Sequence, residues 1–226
     1  MRSHDELKWK IISNGVLLVF TLAAVLPFLL LLMASVSKES VVMTNGYSFF
    51  PQEFSPDAYN YILSQADTLG RGYLNTIIVT MLGTGVSMLL TSMFAYALSN
   101  DRLPGVKLLN FLCIFTMLFS GGQVASYYVW SSMFKVRDTV WGLVLPNLLM
   151  NAFNVILVKN YFINSIHVSL KEAARIDGCG EFKIFRKIVM PLSIPINATI
   201  GLMTGLIYWN DWVNGLYYLT ARNGSR

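Results

Sequence analysis

Charge is what this chain has least of. Of its 226 residues, 17 are Lys or Arg and 12 are Asp or Glu, 13% together, where a soluble domain usually carries about 25%. That deficit argues against a soluble enzyme, a disordered chain and a nucleic-acid binder, all of which need more charge or polarity. Cysteine and histidine are scarce too, with two of each: Cys113, Cys179, His4 and His167. They form no disulfide framework and no metal-ligand spacing. No lysine is followed by Ser or Thr, so a phosphate-binding G-x-x-x-x-G-K-[ST] loop is absent. Neither H-E-x-x-H nor G-x-S-x-G occurs, and Gly83-Thr-Gly85 lacks the third glycine of a dinucleotide fingerprint. What remains is apolar: 54% hydrophobic residues, with a mean hydropathy of +0.53. This reads as an integral membrane protein.

Charge-free stretches place the spans, because a bilayer needs about 20 consecutive, mostly apolar residues in a helix. Such stretches run from Ile11 to Ser37, Gly72 to Asn100, Leu108 to Phe134, Thr139 to Val158 and Ile188 to Asn210, the last resuming from Trp212 to Ala221. They predict an all-α, polytopic helical bundle with five spans near 11–34, 73–98, 107–133, 140–162 and 194–219. The first apolar core is longer than the 7–15 residues of a signal peptide, which favours an uncleaved helix. Lys and Arg set the orientation. Arg2, Lys8, Lys10, Arg102, Lys107, Lys159, Lys171, Arg175, Lys183, Arg186 and Lys187 fall on one side, against Lys38, Arg71, Lys135, Arg137, Arg222 and Arg226 on the other. The richer side is the cytoplasm, so the amino terminus is expected inside and 35–71 is the sizeable external loop. Five spans leave the carboxyl terminus outside, an awkward end.

Inside the spans, polar groups are few. Asp211, within Tyr208-Trp-Asn-Asp-Trp212, is the one carboxylate near a span interior, where an ionised group costs at least about 2.5–3.5 kcal/mol. It faces either a watery cavity or an interfacial aromatic belt continued by Tyr217 and Tyr218. On one helix, Tyr208, Asp211 and Gly215 share a face. Asn147, Asn151 and Asn154 form a stripe, suited to interhelical hydrogen bonds or to a pathway. Gly121-Gly122 predicts a bend in the third span, and Gly201-x-x-x-Gly205 predicts close helix packing. Trp209, Asn210 and Asp211, with Tyr127, Tyr128 and Asn154, are the candidate pathway residues: aromatic faces suit sugar rings and amides suit hydroxyls.

The most informative loop is 163–192. Ser169-Leu-Lys-Glu172 has capping-box spacing, Gly178 suits a left-handed helix end, and a second helix from about Glu181 through Ile188 should be broken by Pro191 and Pro195. This helix–turn–helix, slim at Ala173 and Ala174, fits either a groove on another protein or an anionic lipid surface touched by Lys183, Arg186 and Lys187.

Glu172-Ala-Ala-(three residues)-Gly178-(nine residues)-Ile188-x-Met190-Pro191 resembles the EAA loop of binding-protein-dependent ABC importer permeases, with Met190 standing where the family has Leu. Leu170–Gly178 and Pro191-Leu-Ser-Ile-Pro195 are similar to the carbohydrate-uptake, maltose-permease G-subunit type. Asn154-Val-Ile-Leu and Tyr208–Trp212 look closer to its complex-oligosaccharide branch.

The resemblance implies the type I ABC importer permease fold, a single transmembrane domain over 1–226, and a multi-pass place in a bacterial cytoplasmic membrane. It implies no catalytic residue and no cofactor or metal on this chain, ATP and Mg²⁺ belonging to the partner ATPase. Glu172, Ala173, Ala174, Asp177 and Gly178 would dock on that ATPase, with Glu172 pairing to a basic group there. The implied partners are a second permease subunit, a dimer of ATP-binding subunits, an extracytoplasmic solute-binding protein, an oligosaccharide and membrane lipid, with no nucleic acid. Family members have six spans, so a longer protein with a further helix is expected. Two rivals stay open: the same fold carrying an amino acid, peptide or lipid-linked sugar, and an ion-coupled secondary transporter, for which Asp211 is the one candidate coupling carboxylate.

Overall fold

The computed structural model describes residues 4–220 except 147. Arg2, Arg222 and Arg226, counted in the charge balance, and Asn147, counted in the polar stripe, lie outside the described residues. Among the described residues the chain is helical, with no strand beyond one isolated bridge between Ser37 and Phe54. It divides into two compact units, residues 1–70 and 71–226.

The first unit holds α1 (His4–Ser35), α2 (Glu39–Asn45) and α3 (Asp57–Ser64). In α1, the apolar side chains from Ile11 to Leu32 stand largely exposed, the surface expected of a helix solvated by lipid. The segment 35–71, expected as a loop, carries α2 and α3, fastened by a Lys38–Glu53 ion pair of 2.8 Å.

The second unit is built on α4 (Ala66–Leu98), whose 33 residues extend about 50 Å. Then come α5 (Val106–Leu118), α6 (Gly122–Tyr128) with a π-helical turn Val129–Met133, α7 (Trp141–Val144) and α8 (Ala152–Asn164). The hairpin helices are α9 (Val168–Ile176) and α10 (Glu181–Ile184). The latter continues through a π-helical turn Phe185–Val189 into α11 (Met190–Leu192). The unit closes with α12 (Ile194–Trp209) and α13 (Val213–Tyr218). Its main core joins Ala95 and Leu98 of α4, Val155, Val158 and Phe162 of α8, Ala174 of α9, and Ile184, Phe185 and Val189 of the hairpin's second arm.

Two helices, Leu7–Ser35 and Ala66–Leu98, are long and apolar enough to cross a membrane unbroken. The other predicted spans are interrupted. The third bends by 116° between Leu118 and Gly122, and Gly122 takes φ +79°, as the glycine pair predicted. The fourth is corrected more deeply: the chain leaves the helix after Val144 and resumes at Ala152. Asn151 is therefore not part of a helical stripe with Asn154. Its side chain caps α8, accepting from the amides of Phe153 (2.8 Å) and Asn154 (3.4 Å). The break is possible because distant side chains satisfy the freed carbonyls. Tyr208 Oη donates to Val144 O at 2.8 Å, and Asn214 Nδ2 donates to Pro146 O at 3.0 Å. Irregular backbone at membrane depth requires such partners.

The fifth span is likewise two helices, α12 and α13, separated at Asn210–Trp212. Ahead of it, the hairpin's second arm passes straight through Pro191 and ends at Ser193, turning by 82° into α12. The π-helical turn just upstream shifts the backbone pairing that Pro191 cannot join. The buried Ser193 hydroxyl donates to Val189 O at the bend. Gly201 and Gly205 do mark close packing: a Cβ on Gly201 would sit 2.9 Å from Met88 Sδ, and one on Gly205 3.5 Å from Thr84 Oγ1.

Candidate functional site

Two places in the second unit carry polar side chains that the apolar bundle does not explain. The first is the α9–α10 hairpin. Its turn is a Schellman motif: Cys179 N–H donates to Ala174 O (2.9 Å) and Gly178 N–H to Arg175 O (3.0 Å). Gly178 stands at φ +76°, a left-handed position that side-chain-bearing residues adopt at a cost. The capping box does not form, which corrects the sequence expectation. Helix α9 starts two residues early, at Val168 behind His167, with no side-chain cap. Glu172 does not reach back, because Arg102 captures it: Nη2 to Oε1 is 2.8 Å.

Within the hairpin, Lys171 and Ala174 turn inward, while Ser169, Ala173, Ile176 and Asp177 turn outward. Ile176 is 86% exposed and Phe182 66%. Glu181 Oε1 accepts from Arg175 Nε at 2.6 Å, and Oε2 accepts from Tyr96 Oη at 2.6 Å. Those two hydrogen bonds, Arg175's first, hold the Glu181 carboxyl below its ordinary pKa. Burial, helped by the nearby Arg175 charge and opposed by Glu181, lowers that of Lys171.

The second place is a cleft of about 270 Å³ lined by Asn75, Thr76, Val79, Tyr208, Asp211 and Gly215 among others. Tyr208, Asp211 and Gly215 thus share one lining, although the helix that was to align them is broken. Asp211 also makes that break: its Oδ1 accepts from the first two amides of α13, Val213 (3.1 Å) and Asn214 (3.3 Å). A carboxylate so placed satisfies helix-start donors. Tyr208 reaches its place because Gly83 has no side chain; a Cβ there would lie 2.5 Å from the Tyr208 ring.

Residues 8–221 match the family described as binding-protein-dependent transport system inner membrane component. The chain belongs to this family. Among the relatives of this permease is the polygalacturonan/rhamnogalacturonan transport system permease protein YtcP of Bacillus subtilis (strain 168), 45% identical over 91% of this chain and 70% of its own length. Protein LplC of the same strain is 38% identical over 86% of this chain and 65% of its own length. The crystal structure of a bacterial ABC transporter involved in the import of the acidic polysaccharide alginate matches 98% of this chain and 78% of that one, with a TM-score of 0.84 at 31% identity. The permease therefore has the type I ABC importer permease fold and is a multi-pass membrane protein. Permeases of this family are not themselves enzymes, and no group of three or more metal-ligating side chains occurs among the described residues.

The permease gathers only part of the predicted pathway set. Asp211 lines the cleft. Trp209 is 46% exposed outside that lining, and Asn210 is exposed and returns its amide to Leu206 O at 2.8 Å. Tyr127 packs against Tyr217 and Tyr218, and Tyr128 is exposed. Asn154 is buried between helices, its Nδ2 3.4 Å from Thr204 Oγ1. Asn75 and Thr76 were missed: they stand out as a polar pair in a charge-free run, but nothing local shows that their face meets Asp211. Tyr96 and Glu181 were missed because their bond joins positions 85 residues apart.

Proposed function

We propose that this permease is one of two transmembrane subunits of an ATP-driven importer whose cargo is an oligosaccharide handed over by an extracytoplasmic solute-binding protein. The observation that carries the reading is the hairpin: a Schellman-locked helix, fixed on its inner face, that presents Ala173, Ile176 and Asp177 outward. Exposed Ile176 and Phe182 offer an apolar contact that water does not reward. Sugars are the cargo favoured by the pectin-transport relative and the alginate importer.

In this reading the hairpin and amino terminus are cytoplasmic, and the chain makes five crossings of a bacterial cytoplasmic membrane, three of them through broken helices. Lipid and the second permease cover the apolar exterior. ATP and Mg²⁺ sit on a dimer of ATP-binding subunits, this chain holds no cofactor, and hydrolysis is the partner's work. Glu172, Ala173, Ala174, Asp177 and Gly178 form the docking element, with Ala174 bracing it from within and Glu172 exchanging Arg102 for a basic group of the ATPase. Closure of the ATPase dimer then moves the helices between two packings as rigid bodies.

Cargo passes the cleft, where Asp211, Asn75 and Thr76 meet sugar hydroxyls. Trp209, Asn210 and Tyr128 face the second subunit across the pathway, Tyr127 backs them, and Asn154 enters only when the α8–α12 seam opens.

The test is a mild-detergent pull-down of the tagged, full-length protein with identification of co-purifying chains, followed by uptake in vesicles. An ATPase and a second polytopic subunit should co-purify and be lost when Glu172 and Gly178 are altered. Labelled oligogalacturonide and a neutral arabino-oligosaccharide, offered with ATP, then distinguish acidic from neutral cargo. A lone chain that moves solute under an ion gradient without ATP would overturn the reading.

A further inference from the structure

Helix α4 joins the hairpin to the cleft. Tyr96, near the end of α4, bonds to Glu181, and Asn75 and Thr76, near its beginning, line the cleft. The 20 residues between Asn75 and Tyr96 are uninterrupted helix, a rise of roughly 30 Å at 1.5 Å per residue.

At the hairpin end, one carboxylate ties three helices and spends both oxygens on it. Arg175 of α9 and Tyr96 of α4 each donate to Glu181 of α10 at 2.6 Å. The Tyr96 ring is wedged against Phe162 of α8 and Phe185 of the hairpin's second arm, with centroids at 6.5 and 5.4 Å. The neighbouring Ala95 and Leu98 are buried in the core that also holds Ala174 and Ile184. These hydrogen bonds are half exposed, with the Glu181 side chain 50% accessible, so they add little to stability. What they add is direction: charge-assisted hydrogen bonds fix an angle and a separation, which an apolar contact on a half-wet surface does not. By contrast, the Arg102–Glu172 pair links α9 only to the connection between α4 and α5, with Arg102 71% accessible.

We infer that Glu181 is a positioning residue which, through Tyr96 and Arg175, makes the hairpin and α4 one mechanical body, so that displacement of the hairpin by the ATPase reaches the cleft. The inference rests on the importer reading above.

The test uses the full-length importer, purified with its partners, in a Cys179→Ser background with a fluorophore at Leu74→Cys. Leu74 is exposed on α4, beside the cleft residues. Mg-ATP with vanadate traps the ATPase. In the otherwise unaltered importer, trapping should shift the label's emission. Tyr96→Phe and Glu181→Gln should each hydrolyse ATP and keep the untrapped spectrum, yet lose the shift, whereas Arg102→Ala should keep it. A structural defect alone would alter assembly or the untrapped spectrum instead. Should Glu181→Gln fail to assemble, Tyr96→Phe, which removes a single hydroxyl, decides. A full shift in both variants overturns the inference and leaves the importer reading standing. A preparation with no ATPase activity before any substitution overturns that reading, and this one with it.

Discussion

The two ends of α4 are built to different rules. Around Ala95 and Leu98 the helix is buried in the main core and bonded to the hairpin through Tyr96. Around Asn75 and Thr76 it borders a cleft whose far wall includes the end of α12 and the short α13, joined by irregular chain at Asn210–Trp212. Motion is cheapest where backbone is irregular and burial is low, and force is best received where contacts are dense and directional. One rod thus has a held end and a free end, the asymmetry that a relay from a docking surface to a pathway requires.

The sharpest way to break that comparison is to loosen the held end. Gly178→Val puts a β-branched residue at φ +76°, where even an unbranched side chain costs roughly 1–2 kcal/mol. The Schellman bonds should open and the docking surface lose its shape. Membrane insertion should be retained, with co-purification of the ATPase and ATP-driven uptake both lost. Gly178→Asn, whose side chain tolerates this conformation, should restore most of both. Equal loss in the two variants would mean that Gly178 is needed for space or contact, not for its backbone angle.

A smaller effect is expected where α4 meets α12. Gly83→Ala drives a methyl against the Tyr208 ring, which cannot swing aside because its hydroxyl holds Val144 O. Overpacking of this kind destabilises by about 1–3 kcal/mol. Thermal unfolding in detergent should show a lowered midpoint; Tyr208→Phe in the same background frees the ring but leaves Val144 O without its donor, so it should not repair the loss.

How far the residues alone led differs between the two ends. The hairpin was legible because its signals are local: the spacing of Glu172, Gly178 and Pro191, and a glycine where a helix must stop. Its details failed where a distant residue intervened. Glu172 was expected to close a capping box, but Arg102, 70 positions away, offers a charged partner. At the free end, charge-free runs reported apolarity but not helix continuity. Residues 140–162 read as one span, yet Tyr208 and Asn214, more than 60 positions on, supply the hydrogen bonds that let the chain unwind there. The cost of its charge left Asp211 facing either a cavity or an aromatic belt, while its second task, starting α13, depends on a break that no local pattern announced.

That double task can be separated. Asp211→Ala should remove both the acceptor for the Val213 and Asn214 amides and the carboxylate in the cleft, destabilising by about 1 kcal/mol, as losing a helix cap does. Asp211→Asn keeps an acceptor oxygen and should recover most of that stability. If uptake recovers with it, the residue matters to transport by shaping α13. If stability returns without uptake, the charge itself serves the cargo, and the free end is a binding surface as well as a moving one.

The smallest expected effect concerns acid at the held end. Glu181 faces Arg175, Tyr96 and Lys171, and its folded pKa lies below the ordinary glutamate value of about 4.3. The native state therefore binds fewer protons than the unfolded one near that pH. The resulting stabilisation is complete above the ordinary value and is lost as pH falls through the folded one. Amide exchange at Gly178 and Cys179, corrected for intrinsic rates, should show constant protection near neutrality and loosen only in acid. Glu181→Gln should flatten the profile, leaving protection low and independent of pH. A profile unchanged by that substitution would assign the acid response to another carboxylate.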